Sequence, residues 1–278
     1  MHTSFTRRAA AAAALSLLLA SASWVSAAAA PVPARTTAVP QAAADLPVRK
    51  LATRKKRTSA VASAHRWRPV LVEDFGGRFD DRLWWRYGGV SKASGAEFDS
   101  TAVRIADGAL VLTSRKGPDG IWRGAGVGQR TTLAYGRWTV RARAERGQGV
   151  TMVALLWPGD NRWPPEIDFA EDNGADRRMM SSTAHFADGK RVHHETAIDS
   201  TQWHDYAVEW TPGQIKYLID GRVWATVADA RVPGQPMRLA LQTEPWVKGT
   251  TWFRPVADST PSQVSVYVDS VRIESLQR

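Results

Sequence analysis

The chain has 278 residues, 44% hydrophobic and 23% charged, which suffices for a folded domain with a sizeable core. It has no cysteine, and this excludes disulfides, thiolate nucleophiles, C-x-x-C redox pairs and cysteine-ligated zinc. The formal charge of +10 is uneven: residues 28–66 hold eight basic residues against Asp45 alone, whereas residues 67–278 hold 27 basic and 26 acidic ones. A near-neutral folded part argues against a nucleic-acid protein, which carries its positive charge on the folded surface. The 13 tryptophans exceed what core packing calls for. Trp joins a large flat apolar face to an N–H donor, and an excess of it marks a binding groove.

At the start of the chain, Arg7 and Arg8 precede an apolar run from Ala9 to about Ala22, and Val25-Ser26-Ala27 supplies a small-residue cleavage pattern. Residues 1–27 are expected to be a secretory signal peptide, so the protein is expected outside the cell. The alternative is an uncleaved anchor, but a spanning helix needs about 20 consistently apolar residues. Ser21, Ser23 and Ser26 interrupt the run. Residues 28–66 are rich in Ala, Pro, Thr and Arg and poor in large apolar side chains, so they are expected to form a disordered linker. Six positive charges between Arg49 and Arg57 keep such a linker extended. The same charges would also draw it to an anionic cell surface.

From Trp67 to the end of the chain the pattern is one of strands. Trp138, Val140, Ala142 and Ala144 alternate with Arg137, Thr139, Arg141 and Arg143, the period-two signature of a half-buried strand. The run from Val150 to Trp157 is apolar on both faces, as inside a packed sandwich. Tyr206, Val208 and Trp210 alternate again, then Ile215, Tyr217 and Ile219. Asp220-Gly221 follows, and a type I′ hairpin turn, with positive φ at both central positions, favours that pair. Val264 to Ile273 reads as a last long strand, and sustained helical periodicity is missing beyond residue 30. The expectation for residues 67–278 is a single all-β domain of two packed antiparallel sheets.

Several chemistries drop out. Gly124, Gly126 and Gly128 resemble a dinucleotide fingerprint, but Gln129 follows and no helix pattern does, so the segment reads as a turn. His193-His194-Glu195 has no H-E-x-x-H context and reads as a polar loop rather than a metal site. Glu166, Asp168 and Glu171 remain. On a strand Glu166 and Asp168 share a face, and a β-bulge at Phe169-Ala170 would turn Glu171 onto it as well. Like charges stacked this way raise one another's pKa. Retaining glycoside hydrolysis uses such a set: a nucleophilic carboxylate and a proton-donating acid about 5–5.5 Å apart. A third acid between them could help to separate their pKa values. A strand-edge acidic patch balanced by arginines is the other reading.

The residues around this cluster resemble glycoside hydrolase family 16. Glu166–Glu171 matches the family's E-[ILV]-D-x-x-E motif position for position. Tyr135–Ala142 is similar to its Y-G-R-[FWV]-x-[VA]-R-[AM] strand, Leu155–Pro158 to the strand before the motif, and Thr183–Phe186 to the T-x-H-[YF] after it. Trp203–Pro212, Tyr217–Gly221 and Val268–Ile273 resemble later family segments, so that the likeness runs from about Val72 to Ile273.

The resemblance implies a β-jelly-roll sandwich of two antiparallel sheets with a concave glycan-binding cleft. It implies Glu166 as nucleophile, Asp168 as assisting acid and Glu171 as general acid/base, acting without a cofactor. Trp157, Trp163, His185, Gln242 and Trp246 are the candidates for substrate contact. Some members carry a structural calcium on the convex side, partly held by an aspartate of the last strand, and Asp269 occupies that place. The expected partner is a polysaccharide, with β-1,3- or β-1,3-1,4-glucan first, and the expected state a monomer. The alternatives are a non-catalytic carbohydrate-binding jelly roll and a cell-envelope transglycosylase. Pro164-Pro165 stands where small residues are usual, and Gly147–Trp157 lacks the first W-P of a glucanase stretch, so the loops that select substrate differ.

Overall fold

A computed structural model describes residues 66–277 other than Lys92. The expected signal peptide and all of the expected linker but Arg66 lie outside the described residues. Among the described residues, seventeen strands account for most of the fold. They are β1 (Trp67–Glu73), β2 (Trp84–Arg86), β3 (Gly89–Val90), β4 (Glu97–Phe98), β5 (Val103–Ala106) and β6 (Ala109–Lys116). Next come β7 (Trp122–Gln129), β8 (Gly136–Ala144), β9 (Val150–Pro158), β10 (Glu166–Asp172), β11 (Met179–His185) and β12 (Arg191–Ala197). The last are β13 (His204–Thr211), β14 (Gln214–Ile219), β15 (Arg222–Ala228), β16 (Met237–Pro245) and β17 (Gln263–Leu276). The one helical element among the described residues is a 3₁₀ turn, Ser100–Ala102, and no helix there is long and apolar enough to cross a membrane.

The strands form two layers. The sheet that carries the acids, the site sheet, runs β2-β7-β16-β9-β10-β11-β12. The back sheet runs β15-β14-β13-β8-β17, and β17 then pairs β6 through its first half and β1 through its second. The expected all-β jelly roll of antiparallel strands is what the chain forms, with one addition: the short β4 lies parallel to β7. The layers are also joined. Trp122 and Arg123 of β7 pair with β6, whereas Ala125 to Gly128 pair with β16, so one strand leaves the back sheet and enters the site sheet.

Between the layers lies the core. The alternation in β8 puts Trp138, Val140, Ala142 and Ala144 inside, and Trp84, Trp210, Tyr206 and Tyr217 are buried with them. On the far side of the back sheet the charged positions of β8 are paired, Arg141 to Asp205 at 3.3 Å and to Asp269 at 3.6 Å. Asp269 thus faces a guanidinium, and it belongs to no cluster of three potential metal ligands among the described residues. Asp220 and Gly221 both adopt positive φ between β14 and β15, the geometry expected of that turn.

Two expectations are corrected. His193-His194-Glu195 lies in strand β12, where alternation sends His193 and Glu195 to one face and His194 to the other. Gly124, Gly126 and Gly128 lie in β7, not in a turn. Glycine is weak in strands unless something packs where its side chain would be. Here a Cβ on Gly126 would collide with the Tyr87 ring, and one on Gly128 with the Trp85 ring. The missing side chains make the bed on which both aromatics lie. Gly128→Ala should therefore lower stability by about 1–3 kcal/mol through overpacking. Thermal unfolding of that variant checks this, and an unchanged Tm would mean that Trp85 moves aside freely.

Candidate active site

The strand β10 carries a bulge. Opposite β9, Asp168 pairs with Leu155 and Ala170 with Ala154, which leaves Phe169 as the extra residue. Opposite β11, Asp168 pairs with Thr183 and Glu171 with Ser181. Phe169 and Ala170 consequently both enter the core beside Ile167, while Glu166, Asp168 and Glu171 share the outer face.

The register arranges that face in rows across the sheet. One row contains Arg191, His185 and Glu166 on β12, β11 and β10, and since the next residue, Ile167, pairs with Leu156, it points on to Trp157 and Arg238, paired on β9 and β16. The next contains His193, Thr183, Asp168, Leu155 and Ala240, ending at Gly128 under Trp85. The third contains Glu195, Ser181, Glu171, Val153 and Gln242, ending at Gly126 under Tyr87. Val153, Leu155 and Ala240 form a small apolar floor separate from the main core, with Trp157 and Tyr87 packed on it. An apolar floor between aromatic and carboxyl groups suits a sugar ring, which has apolar faces and a polar rim.

The three acids differ in surroundings. The Trp163 indole N–H donates to Glu166 at 2.8 Å although the residue is 54% exposed. His185 Nε2 lies 3.2 Å from Asp168 Oδ2, and the His185 ring also tilts against Trp163. Burial, then the charge of Asp168, pushes the Glu166 carboxyl up to about 8, and burial pushes Asp168 up to about 7. Two buried carboxyl groups this close share a proton rather than both ionise, and the Trp163 N–H favours the charge on Glu166. Glu171 is raised well above the usual carboxylate range, by burial first and then by Asp168, Glu166 and Glu244. That shift favours its protonated form, and its carboxyl group has no hydrogen-bond partner among the described residues. Burial lowers the His185 pKa, keeping that ring neutral.

The donor atoms of Glu166, Asp168 and His185 lie within 4.8 Å of one another, a set that could hold a cation. The Trp163 N–H already donates to Glu166, and His185 Nε2 lies against Asp168.

Of the expected contact residues, Trp157, Trp163, His185 and Gln242 lie on the face of the acids. Trp246 is placed differently. It follows β16 at the strand end with its ring stacked on Phe253 at 3.8 Å, and Phe253 meets Trp252, which donates to Glu195 in the row of Glu171. Sequence reading missed Trp85 and Tyr87, brought in by β2 and the residue after it, and Glu244. The buried Glu244 accepts from Ser94 Oγ at 2.6 Å and from Gln242 at 3.2 Å. Also missed was a flank in which His193 bonds Thr183 and Glu195, and Trp252 donates to Glu195 at 3.0 Å.

Comparison with known proteins gives a consistent answer. Residues 91–276 match the family model "Glycosyl hydrolases family 16". An endo-1,3-1,4-beta-glycanase, ExsH of Rhizobium meliloti, is 34% identical over 103 residues, covering 36% of this chain and 22% of that protein. A beta-glucanase of Rhodothermus marinus is 27% identical over 154 residues, covering 46% of this chain and 51% of that one. The chain thus spans between about a fifth and a half of the length of these two relatives. Among solved structures, the laminarinase catalytic domain of Thermotoga maritima superposes with a TM-score of 0.67 at 20% identity, covering 76% of this chain and 99% of that one.

Proposed function

Because the chain belongs to the glycosyl hydrolases of family 16, we propose that it hydrolyses a β-linked glucan by double displacement, on β-1,3 or mixed β-1,3-1,4 linkages. Glu166 is the nucleophile, Glu171 the general acid/base and Asp168 the assisting acid. The observation that carries this reading is the bulge at Phe169, which gathers three carboxyl groups on one face, where burial raises the Glu171 pKa. The likeness to an endo-1,3-1,4-beta-glycanase and to a beta-glucanase supports the substrate class.

The steps follow from the surroundings of each group. A sugar settles on the Val153–Leu155–Ala240 floor between Trp157 and Tyr87. Glu166, oriented by the Trp163 N–H, attacks the anomeric carbon while Glu171 protonates the departing glycosidic oxygen. As negative charge leaves Glu166 for the new bond, Asp168 keeps the shared proton. Glu171, now ionised, then takes a proton from water, which attacks the glycosyl-enzyme, and both acids return to their first states. The Arg7-Arg8 start and the apolar run after it support export of the protein to the polymer outside the cell.

The test is release of reducing ends from laminarin and lichenan by the full chain, with the new anomer followed by proton NMR. Products that appear first as the β-anomer are expected. First appearance of the α-anomer would remove Glu166 from the nucleophile's role. Binding without release would make the protein a carbohydrate-binding one, and transfer to a sugar in place of water would make it a transglycosylase.

A further inference from the structure

At the β7 end of the site face, Trp85, Arg130, Asn161 and Arg238 line a cavity of about 390 Å³. Arg238 sits opposite Trp157 in the β9–β16 register, in the row of Glu166, which puts it two strand spacings, about 10 Å, from the nucleophile's strand. Arg130 is one residue past the end of β7. Both guanidinium groups lie beside the same indole, Arg130 at 5.8 Å and Arg238 at 5.4 Å from the Trp85 ring.

Neither arginine is paired with a carboxylate among the described residues, although Arg123, Arg137, Arg141, Arg177 and Arg231 all are. Arg130 spends its Nε–H on the Asp81 carbonyl. Arg238 donates to the Gly159 carbonyl, while its own Nε is buried without an acceptor. Two neighbouring cations without a counter-ion, one of them partly buried, raise the energy of the empty cavity. A guanidinium fork matches a planar carboxylate or the oxygens of a sulfate ester, and the Trp85 face can receive the sugar ring that carries such a group.

We infer that this end of the cleft binds an anionic substituent on a sugar of the substrate, so that the preferred polymer is an acidic derivative of a β-glucan rather than the plain glucan. This rests on the reading of Glu166 and Glu171 given above. The substituent is a carboxylate or a sulfate ester, since both present the same acceptor geometry.

The experiment is calorimetric titration of the full-length Glu166→Gln protein with a neutral β-1,3-glucan oligosaccharide, the same oligosaccharide oxidised at C6 to carboxylates, and the same oligosaccharide sparsely sulfated. At least one charged form should bind about tenfold tighter than the neutral one, the size of a single charge-assisted hydrogen bond. The gain should fall away in Arg130→Gln and Arg238→Gln and at high salt. The two charged ligands tell carboxylate from sulfate. Arg130 is exposed, so its variant keeps the fold and makes the loss interpretable. Equal binding of neutral and charged forms would overturn the inference and leave the hydrolase reading intact, as would a gain that survives both substitutions. Failure of all three to bind would overturn both.

Discussion

Replacing Glu171 by glutamine is expected to lower kcat on a β-glucan by about 10²–10⁴, the usual worth of a positioned general acid. Glutamine has the shape of the protonated acid and cannot give up a proton to the leaving oxygen. Because burial and the charges of Asp168, Glu166 and Glu244 all favour the neutral form of Glu171, a neutral glutamine suits the site and should not disturb the fold. A glycosyl fluoride, whose leaving group needs little protonation, should still form the glycosyl-enzyme. Rate measurements on the two substrates check this. A parallel loss on both would mean that Glu171 matters for binding or folding instead. For the wild-type protein the raised Glu171 pKa also places the alkaline limb of the pH–rate profile at its titration, so activity is lost as pH rises through it. Glu244 contributes at a distance: held by Ser94 and Gln242, it adds negative charge that keeps the Glu171 proton in place.

Glu166→Gln should stop turnover more completely, by about 10⁴–10⁶, because no other group is placed to form the covalent intermediate. The same substitution should change the pH dependence of stability. Folding raises both members of the Glu166–Asp168 pair, Glu166 from 4.5 to about 8 and Asp168 from 3.8 to about 7, so that the pair keeps a shared proton. The unfolded chain therefore loses its proton first, and between those values it binds fewer protons than the native state. Native stability consequently falls as pH rises from about 4.5 to about 8, and is fully present only below that window. In the variant this contribution disappears. Its Tm should match that of the wild type near pH 4.5 and exceed it at pH 8, by an amount on the order of a few kcal/mol in stability. Melting curves at the two pH values decide it, and a constant difference would assign the raised carboxyl to Asp168 alone.

Much of this site was legible before any coordinates. A strand shows its two faces in the chemistry of alternate residues, so the spacing of Glu166, Asp168 and Glu171 disclosed that a shared face required one inserted residue. The structure places that insertion at Phe169. His193 and Glu195 were misread because β12 is an edge strand among the described residues, with polar side chains on its exposed face, and lacks the apolar alternation that marks a strand covered by the core. The β7 glycines were misread for a related reason. A glycine's meaning in a strand depends on what lies above it, and Trp85 and Tyr87 come from 40 or so residues earlier in the chain.

Local pattern along the chain is enough for the kind of element at each place: alternating strands such as β8 and β13, the Asp220-Gly221 turn, and the acid triplet with its bulge. These depend on local periodicity and turn geometry, which neighbours along the chain decide. Which strands lie side by side is a matter of the packed fold. It put Arg238 opposite Trp157, set Glu244 near enough to act on the Glu171 proton, brought two arginines beside Trp85, and stacked Trp246 on Phe253. Strand order and burial are global properties. The charge states that make the site reactive follow from them, because a carboxyl group's pKa is set by the water and charge around it rather than by its place in the chain.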